Sequence, residues 1–257
     1  MCTLVILHRP GHAWPIVIGA NRDEMIDRPA LPPARHWPDR PEVVAGLDLL
    51  AGGSWLGLND WGVVAAVLNR QGSLGPAAGL RSRGELVLEA LDHADAVDAA
   101  AALSHLDPAA YRSFNLIVAD NRDAYWLKHD GGGRIETRPI EEGLSLIAAG
   151  DLNELATPRL ALARPRFDAA SPPDPERGDF AAWQDLLGDP TAPGGSAGRA
   201  AEAALRFRTP RGYGTVSSAL IALPAEPSPN RPAVYRYAGW LPEATPWQPV
   251  ASLRPAG

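Results

Sequence analysis

The sequence predicts an α+β fold in which two mostly antiparallel β-sheets pack against each other and helices lie outside them. Short apolar runs joined by turn-forming residues open the chain, which is typical of β-hairpins. Helical and strand-like segments then come in blocks, without the regular βαβ alternation of a doubly wound parallel sheet. With 46% hydrophobic and 21% charged residues, the chain of 257 residues can build a sizeable core. We expect a single domain over residues 1–257.

The first part of the chain is interpreted as two β-hairpins. Each hairpin joins two short apolar runs across a cluster of turn-forming residues. The four runs are residues 2–7, 15–21, 54–58 and 63–69. The turns are predicted at Gly11-His12 and at residues 59–62. The Pro-rich crossing at residues 28–41 shows no clear periodicity, so no strand is predicted there.

Helices are predicted in two later blocks. Ser82, followed three residues later by Glu85, forms a capping-box pattern at the start of a predicted helix. An Ala-rich helix follows it, and two further helices come after residue 150. The four predicted helices cover residues 82–91, 94–106, 157–167 and 180–187.

Strands and loops fill the rest of the chain. Further apolar runs bounded by turn residues are predicted as strands at residues 113–119, 124–128, 134–140, 143–149, 214–223 and 233–237. The late strands most simply join the earlier sheets. Two stretches rich in Pro, Gly and Ser, residues 171–178 and 188–198, are predicted as surface loops.

Composition and short motifs argue against several functions. The net charge of −6 disfavours a nucleic-acid partner, and the sequence contains no phosphate-binding P-loop. The sole cysteine rules out a disulfide within the chain and a cysteine-based zinc cluster. Pro10 lies between His8 and His12, so these two residues cannot form a helical metal-binding pair. No metal site is predicted.

The N-terminal apolar run does not resemble a targeting segment. It lacks a basic leader and ends after about six residues, short of the roughly 7–15 of a secretion signal. No segment approaches the roughly 18 apolar residues of a membrane span. We expect a cytoplasmic protein without a membrane span whose partner is a small molecule. The sequence leaves the oligomeric state open.

Cys2 is the first candidate for chemistry. It follows the initiator Met1 and is the only cysteine. Removal of Met1 would give Cys2 a free α-amine, with a reference pKa of about 7.7–8.0, beside its own thiol. A thiolate can attack a substrate while such an amine holds or passes the proton. The alternative is a small apolar residue in a buried strand.

Two charged residues end the second predicted strand. If residues 2–7 and 15–21 form a hairpin, Arg22 and Asp23 return to the neighbourhood of Cys2. A nearby guanidinium lowers the pKa of a thiol, and a carboxylate can orient an amine through a charge-assisted hydrogen bond. The alternative is a salt-bridged polar turn.

Asparagine side chains are the candidates for stabilising a developing oxyanion. Asn69 ends a predicted strand, and Asn115 and Asn153 are similar candidates. Removing one such donor typically costs about 10²–10³ in the rate of acyl transfer. The alternative is ordinary turn chemistry, in which asparagine is common.

Seven short motifs follow one another along nearly the whole chain: Met1-Cys2, Asn21-Arg22-Asp23-Glu24, Gly53-Ser54-Trp55-Leu56-Gly57, Asn69, Arg83-Gly84-Glu85-Leu86, Phe114-Asn115-Leu116-Ile117 and Gly212-Tyr213-Gly214-Thr215. Their order resembles the NRDE family, also called the TANGO2 (transport and Golgi organisation 2) family. That family is similar to N-terminal nucleophile (Ntn) hydrolases such as choloylglycine hydrolases and penicillin V acylases. The resemblance implies a four-layer αββα sandwich with Cys2 at the start of a central strand.

The resemblance also implies an activity, the hydrolysis of a linear amide C–N bond through an acyl-thioester on Cys2, with no required cofactor. The catalytic residues that it implies are Cys2, Arg22, Asp23, Asn69 and Asn153, and the substrate-binding residues are Asn21, Trp55 and Asn115. Cys2 would be the nucleophile and its amine the base. Arg22 and Asp23 would be supporting charges, and the amides of Asn69 and Asn153 would bind the oxyanion.

One position departs from the family pattern. The family often has Arg after Gly-Thr in its late strand, where this chain has Val216. Arg208 and Arg211 are candidates to replace that arginine. The departure bears on the amidase chemistry more than on the fold.

A second function remains open from the sequence. The family has been linked to haem handling and to lipid or acyl-CoA metabolism, so the alternative is a non-catalytic protein that binds or traffics haem or an acyl lipid. In that case Cys2, His8 or His12 would be candidate axial ligands of haem.

Overall fold

The computed structural model describes residues 2–75, 77–191 and 203–250. In chain order, their strands are β1 (Thr3–His8), β2 (Ile16–Met25), β3 (Ala30–Ala34), β4 (Val43–Asp48), β5 (Leu56–Asn59), β6 (Val64–Asn69), β7 (Phe114–Ala119), β8 (Ala124–His129), β9 (Glu136–Pro139), β10 (Gly143–Ile147), β11 (Tyr213–Leu223), β12 (Val234–Gly239) and β13 (Gln248–Pro249). The α-helices are α1 (Gly84–Leu91), α2 (Ala96–Ser104), α3 (Pro158–Ala169) and α4 (Ala181–Gly188). Across the described ranges, every helix is too short or too polar to reach from one side of a bilayer to the other.

The strands form two sheets with different connectivity. The first sheet has six strands in the order β10-β1-β2-β11-β12-β13, and the second has seven in the order β3-β4-β5-β6-β7-β8-β9. The pairings within both sheets are antiparallel. The second sheet is a continuous meander in sequence order, whereas the first brings early and late strands together.

Three clusters of buried side chains separate four layers. The central cluster lies between the sheets and includes Leu4 and Ile18 from the first sheet and Leu58 from the second. A second cluster packs α1 and α2 on the outer face of the second sheet. A third packs α3 and α4 on the outer face of the first sheet, where Val5 and Val17 point. The αββα sandwich is therefore confirmed, and successive residues of β1 and β2 alternate between the inner and outer clusters.

Two strands were not predicted: β3 lies within the Pro-rich crossing at residues 28–41, and β4 follows directly after it. β3 and β4 pair with each other, and β4 also pairs with β5. β3 contains Pro32 and Pro33, which an edge strand tolerates because its outer N–H groups have no ladder partner. β4 is an apolar run that the sequence interpretation passed over.

Smaller differences concern element ends. The capping box does not form: α1 begins at Gly84 with Arg83 at its N-cap. Ser82 Oγ accepts from the backbone N–H of Gly84 at 3.2 Å, and Glu85 pairs with Arg81 at 2.6 Å. The strand predicted at residues 134–140 is present as the shorter β9. Of the predicted loop at residues 188–198, residues 192–198 lie outside the described residues.

Candidate active site

The hairpin of β1 and β2 sets the position of the thiol. Its register pairs Thr3 with Asn21, so Cys2 lies opposite Arg22 just beyond the last paired residues. Because side chains alternate along a strand, Cys2 and Arg22 share the face between the sheets. Cys2 accordingly packs against the central cluster. The predicted proximity of Cys2 and Arg22 is therefore present in the structure.

Two backbone contacts hold the sulfur in place. The backbone N–H of Asp23 donates to Cys2 Sγ at 3.4 Å, and the thiol donates to the carbonyl oxygen of Asp23 at 3.6 Å. Burial raises the pKa of Cys2 and the charge of Asp23 adds to this, while the charge of Arg22 opposes it. The resting thiol is therefore neutral near pH 7, and it needs a base to become a nucleophile.

The thiol opens into a cavity of about 560 Å³ between the ends of the two sheets. The residues that line it include Cys2, Arg22, Trp55, Asn69, Arg83 and Tyr213. The first sheet contributes the thiol and the second sheet contributes Asn69, the last residue of β6. Side chains that are remote in sequence therefore face one another across this space.

Trp55 and Arg22 form one wall of the cavity. The guanidinium of Arg22 lies 4.1 Å from the centroid of the Trp55 ring, a cation–π contact. Arg22 Nη2 is also 3.9 Å from Asp48 Oδ2, and burial lowers the pKa of Arg22. The indole rests on Gly46 of β4, where an added Cβ would lie 2.3 Å from the ring. The absence of a side chain at Gly46 therefore makes room for this indole.

Of the four candidate asparagines, Asn69 has a side chain without a hydrogen bond to a described protein group. It is half-buried and lines the cavity. Within the described ranges, no protein group hydrogen-bonds with its amide, although its backbone pairs with Phe114. An amide that faces a cavity without a protein acceptor is available to donate to a bound molecule. The structure therefore brings together Cys2, Arg22, Trp55 and Asn69.

Asn115 has a structural position instead. Its Oδ1 accepts from Arg70 Nη1 at 2.7 Å and from Trp126 Nε1 at 3.1 Å. Its Nδ2 donates to the carbonyl oxygens of Ala148 and Gly150 at 3.1 and 2.8 Å. These four bonds use the full capacity of the amide. The expected substrate contact is thus replaced by a link between β7 and the segment that follows β10.

Asn21 and Asn153 are committed in the same way. Asn21 Nδ2 donates to two backbone carbonyls on the outer side of the first sheet, and its Oδ1 accepts from Ser218. Asn153 has a left-handed backbone, with φ of 60°. Its Oδ1 accepts from the N–H of Leu146 at 2.9 Å, and its Nδ2 donates to Ser145 at 3.1 Å. The structure therefore does not direct these two amides at the thiol.

The carboxylate of Asp23 forms hydrogen bonds on the outer face of β2. Its Oδ2 accepts from Arg159 Nη1 at 2.5 Å and its Oδ1 from Thr215 Oγ1 at 2.8 Å. Arg159 also donates to Thr3 at 3.2 Å and lies 4.7 Å from the ring centroid of Phe207. Asp23 thus contacts the sulfur through its backbone, and its carboxylate anchors α3.

The sequence interpretation gave Arg159 no role. A signal was present, because Arg159 lies on the buried stripe of α3 with Leu160, Ala163 and Phe167. A guanidinium on an otherwise apolar face indicates a buried acidic partner. Arg83 and Tyr213, which belong to two of the seven motifs, also line the cavity. The Tyr213 hydroxyl donates to the carbonyl oxygen of Asp23 at 3.4 Å.

The other candidates lie elsewhere. Val216 is buried in β11 at a register shift, and the exposed Arg208 and Arg211 do not line the cavity. His8 Nδ1 donates to the carbonyl oxygen of Ile140, and the exposed His12 forms a hydrogen bond with the backbone of Trp14. Neither histidine lines the cavity that contains the thiol.

Solved structures share the fold described above. A Caenorhabditis elegans N-acylethanolamine-hydrolyzing acid amidase ortholog superposes with a TM-score of 0.58 at 14% identity, covering 88% of this chain and 94% of that chain. Two variants of conjugated bile acid hydrolase from Clostridium perfringens, an arginine-to-leucine and a cysteine-to-alanine variant, give TM-scores of 0.53 and 0.51. They are 10% and 11% identical, covering 99% of this chain and 98% of theirs. These likenesses show the Ntn-hydrolase-like fold alone.

Sequence relatives identify the family. A Transport and Golgi organization protein 2 homolog from Bos taurus is 39% identical over 117 residues, and one from Homo sapiens is 37% identical over 115 residues. The alignments cover 42% of this chain and only 40% of those relatives. The family model for Transport and Golgi organisation 2 matches residues 1–170, and these residues include the thiol, its hairpin and Asn69. Because that match spans most of the sequence, the chain belongs to the Transport and Golgi organisation 2 family.

Proposed function

We propose that this protein is a cysteine Ntn hydrolase that cleaves a linear amide C–N bond through an acyl-thioester on Cys2. The observation that carries the proposal is the shared cavity. The chain's sole cysteine and the uncommitted amide of Asn69 face the same space from opposite sheets. This pairs a nucleophile with a donor for the oxyanion.

The raised pKa of the thiol fits an amine-assisted attack. After removal of Met1, the α-amine of Cys2 takes the thiol proton, and the sulfur attacks the amide carbon. The resulting oxyanion accepts from Asn69 Nδ2, while Arg22 stabilises the negative charge near the sulfur. The C–N bond then breaks, and the ammonium returns its proton to the departing amine. Water, deprotonated by the same amine, attacks the thioester carbon. The C–S bond then breaks, the sulfur recovers the proton from the ammonium, and the acid leaves.

The structural neighbours support this reaction class. Their names describe an acid amidase that hydrolyses N-acylethanolamines and a hydrolase of conjugated bile acids. The low identities carry no substrate over to this chain. They favour amides as the first compounds to test.

The test combines mass analysis with turnover. Intact-mass measurement reports whether Met1 is present, and one iodoacetamide adduct on the protein reports an accessible Cys2. A library of linear amides is then assayed with the wild type and with Cys2→Ala, and Asn115→Ala serves as a control for indirect structural effects. We expect loss of Met1, one adduct, and turnover that depends on Cys2. Retained Met1, or full turnover by Cys2→Ala, contradicts the proposal.

A second candidate function is binding of an apolar ligand without hydrolysis. The observation that favours it is the cavity mouth, where Met25, Leu74 and Leu80 are 38%, 49% and 38% exposed. Exposed large apolar residues around a cavity are typical of binding sites for apolar molecules. Titration with haem and, separately, with a fluorescent fatty acid shows which of these two apolar ligands the protein binds. Binding of either one, together with the absence of amide turnover, would favour this function.

A further inference from the structure

The guanidinium of Arg83 borders the cavity, and no described carboxylate forms an ion pair with it. Arg83 is half-buried and donates to Ser73 Oγ at 2.8 Å, to the carbonyl oxygen of Ser113 at 3.0 Å and to that of Gly75 at 3.4 Å. These acceptors use three of the five N–H donors of the group. In the described part of the chain, no carboxylate forms an ion pair with it. No ion pair within the described ranges therefore neutralises the positive charge of Arg83.

Other arginines of the cavity differ in this respect. Arg28 Nε lies 2.7 Å from Asp48 Oδ2, and Arg81 Nε lies 2.6 Å from Glu85 Oε1. Both are thus neutralised locally, whereas Arg83 is held by neutral oxygens. A partly buried charge costs free energy unless an opposite charge accompanies it. A negative group on a bound molecule would supply that charge.

The electrostatic surroundings of Arg83 point the same way. Burial, together with the positive charge of the neighbouring Arg112, lowers the pKa of Arg83 to about 10. The guanidinium stays charged at neutral pH. The charge of Glu24, which also lines the cavity, acts on Arg83 in the opposite sense. Beside Arg83, the guanidinium of Arg112 adds a second positive charge that attracts anions.

We propose that Arg83 binds a negatively charged oxygen group, a carboxylate or a phosphate, of the molecule that occupies the cavity. Combined with the proposed function, this makes the substrate an amide that carries an anionic group, with Cys2 acting on the amide carbon. The reaction part rests on the proposed function, whereas the anion site rests on the surroundings of Arg83. Guanidinium groups bind both carboxylates and phosphates through paired hydrogen bonds.

A pair of alkylating reagents tests the site without a known substrate. Iodoacetate is an anion and iodoacetamide is neutral, and both alkylate the Cys2 thiol. The ratio of their rates, normalised to the ratio for N-acetylcysteine, measures the attraction of an anion to the cavity. We expect a preference for iodoacetate that falls by roughly tenfold in Arg83→Gln, the size of one charge-assisted hydrogen bond. Arg83→Lys should keep most of the preference.

Controls separate the site from net charge and from misfolding. Arg138→Gln removes one positive charge from an exposed strand outside the cavity, and it should leave the ratio unchanged. Thermal melts verify that each variant is folded. An unchanged ratio in folded Arg83→Gln, or an equal fall in Arg138→Gln, overturns the proposal. If Arg83→Gln does not fold, the proposal is decided by comparing the wild type with Arg83→Lys and by competition with added anions.

Competing anions identify the chemical source. Acetate and inorganic phosphate are added at constant ionic strength while the iodoacetate rate is followed. Slowing by acetate alone assigns a carboxylate, and stronger slowing by phosphate assigns a phosphate group. No slowing by either anion overturns the site. A rate ratio that depends on Arg83, without any amide turnover, would support the anion site and refute the proposed hydrolysis. Amide turnover with a rate ratio that does not depend on Arg83 would support the hydrolysis and refute the anion site.

Discussion

The two faces of β2 make different uses of adjacent residues. On the outer face, Asn21 and Asp23 are buried, and their polar atoms are bonded to other parts of the chain. On the inner face, Arg22 borders a cavity next to the thiol of Cys2. A four-residue motif thus divides by side-chain alternation into a structural half and a half available for chemistry.

This difference shows how to assign roles within a motif. The strand period, and not the closeness of two residues in sequence, decides which side chains meet. Asp23 is the nearest carboxylate to Cys2 in the hairpin, but it faces Arg159. Substitutions on the outer face should therefore lower stability, whereas substitutions on the inner face should lower activity.

The largest expected effect is on the inner face. Cys2→Ala should reduce amide turnover by more than about 10³-fold, because the nucleophile is lost. The midpoint of urea unfolding should stay close to that of the wild type, since Cys2 is only partly buried. Steady-state kinetics and urea titration check this prediction. A large loss of stability would assign Cys2 to the core.

The next effect is on the outer face. Asp23→Ala should lower the free energy of unfolding by about 3–5 kcal/mol, because it leaves the guanidinium of Arg159 buried without its partner. Urea unfolding followed by circular dichroism measures it. The double variant Asp23→Ala/Arg159→Met is the matched control and should recover part of the loss. An Asp23→Ala protein as stable as the wild type would show that the ion pair is dispensable.

Two asparagines sharpen the comparison further. Asn69→Ala should lower kcat by about 10²–10³-fold with little change in stability, because its amide donates only to the bound molecule. Asn115→Ala should instead destabilise the fold by about 1–3 kcal/mol for each buried donor left unsatisfied, since Arg70 and Trp126 lose their acceptor. Measuring kcat and urea unfolding on both variants gives the contrast. A loss of stability in Asn69→Ala, together with a loss of kcat alone in Asn115→Ala, would contradict this assignment of the two asparagines.

The smallest effect concerns pH. Because burial raises the pKa of Cys2 in the folded protein, its alkylation by iodoacetamide should keep increasing above the ordinary thiol pKa of about 8.5. Folding favours the neutral thiol, so stability falls as the pH rises past the ordinary thiol pKa. Arg22→Gln should move the alkylation profile to higher pH, because the charge of Arg22 lowers the pKa of the thiol. Alkylation rates between pH 6 and roughly 11 measure both. A profile that reaches its plateau near pH 7 contradicts the raised pKa.

Local sequence patterns predicted many of the strands and helices of the fold. The first hairpin follows from two apolar runs, and its register already puts Cys2 beside Arg22. The second hairpin likewise follows from its turn residues. β3 could not be predicted in this way, because its prolines are compatible with a strand only at a sheet edge, and the strand order fixes that edge.

The site was only partly predictable for a related reason. Asn69 and Asn115 are both placed at strand positions that looked alike in the sequence. Their difference arises from Ala148 and Gly150, which contact Asn115 from a distant segment. Likewise, Arg159 reaches Asp23 across 136 positions of sequence. The groups to which a polar side chain forms hydrogen bonds are set by tertiary contacts, which strand periodicity does not specify.

Close backbone packing joins two of the motifs at the cavity. A Cβ at Gly53 would lie 2.4 Å from the carbonyl carbon of Gly84, and the N–H of Ser54 donates to the carbonyl oxygen of Gly84 at 2.9 Å. The segments that carry Trp55 and Arg83 are therefore fixed to each other as one unit. During evolution, a bulkier residue at Gly53 would displace both side chains together, so these distant stretches of the gene are expected to vary in concert.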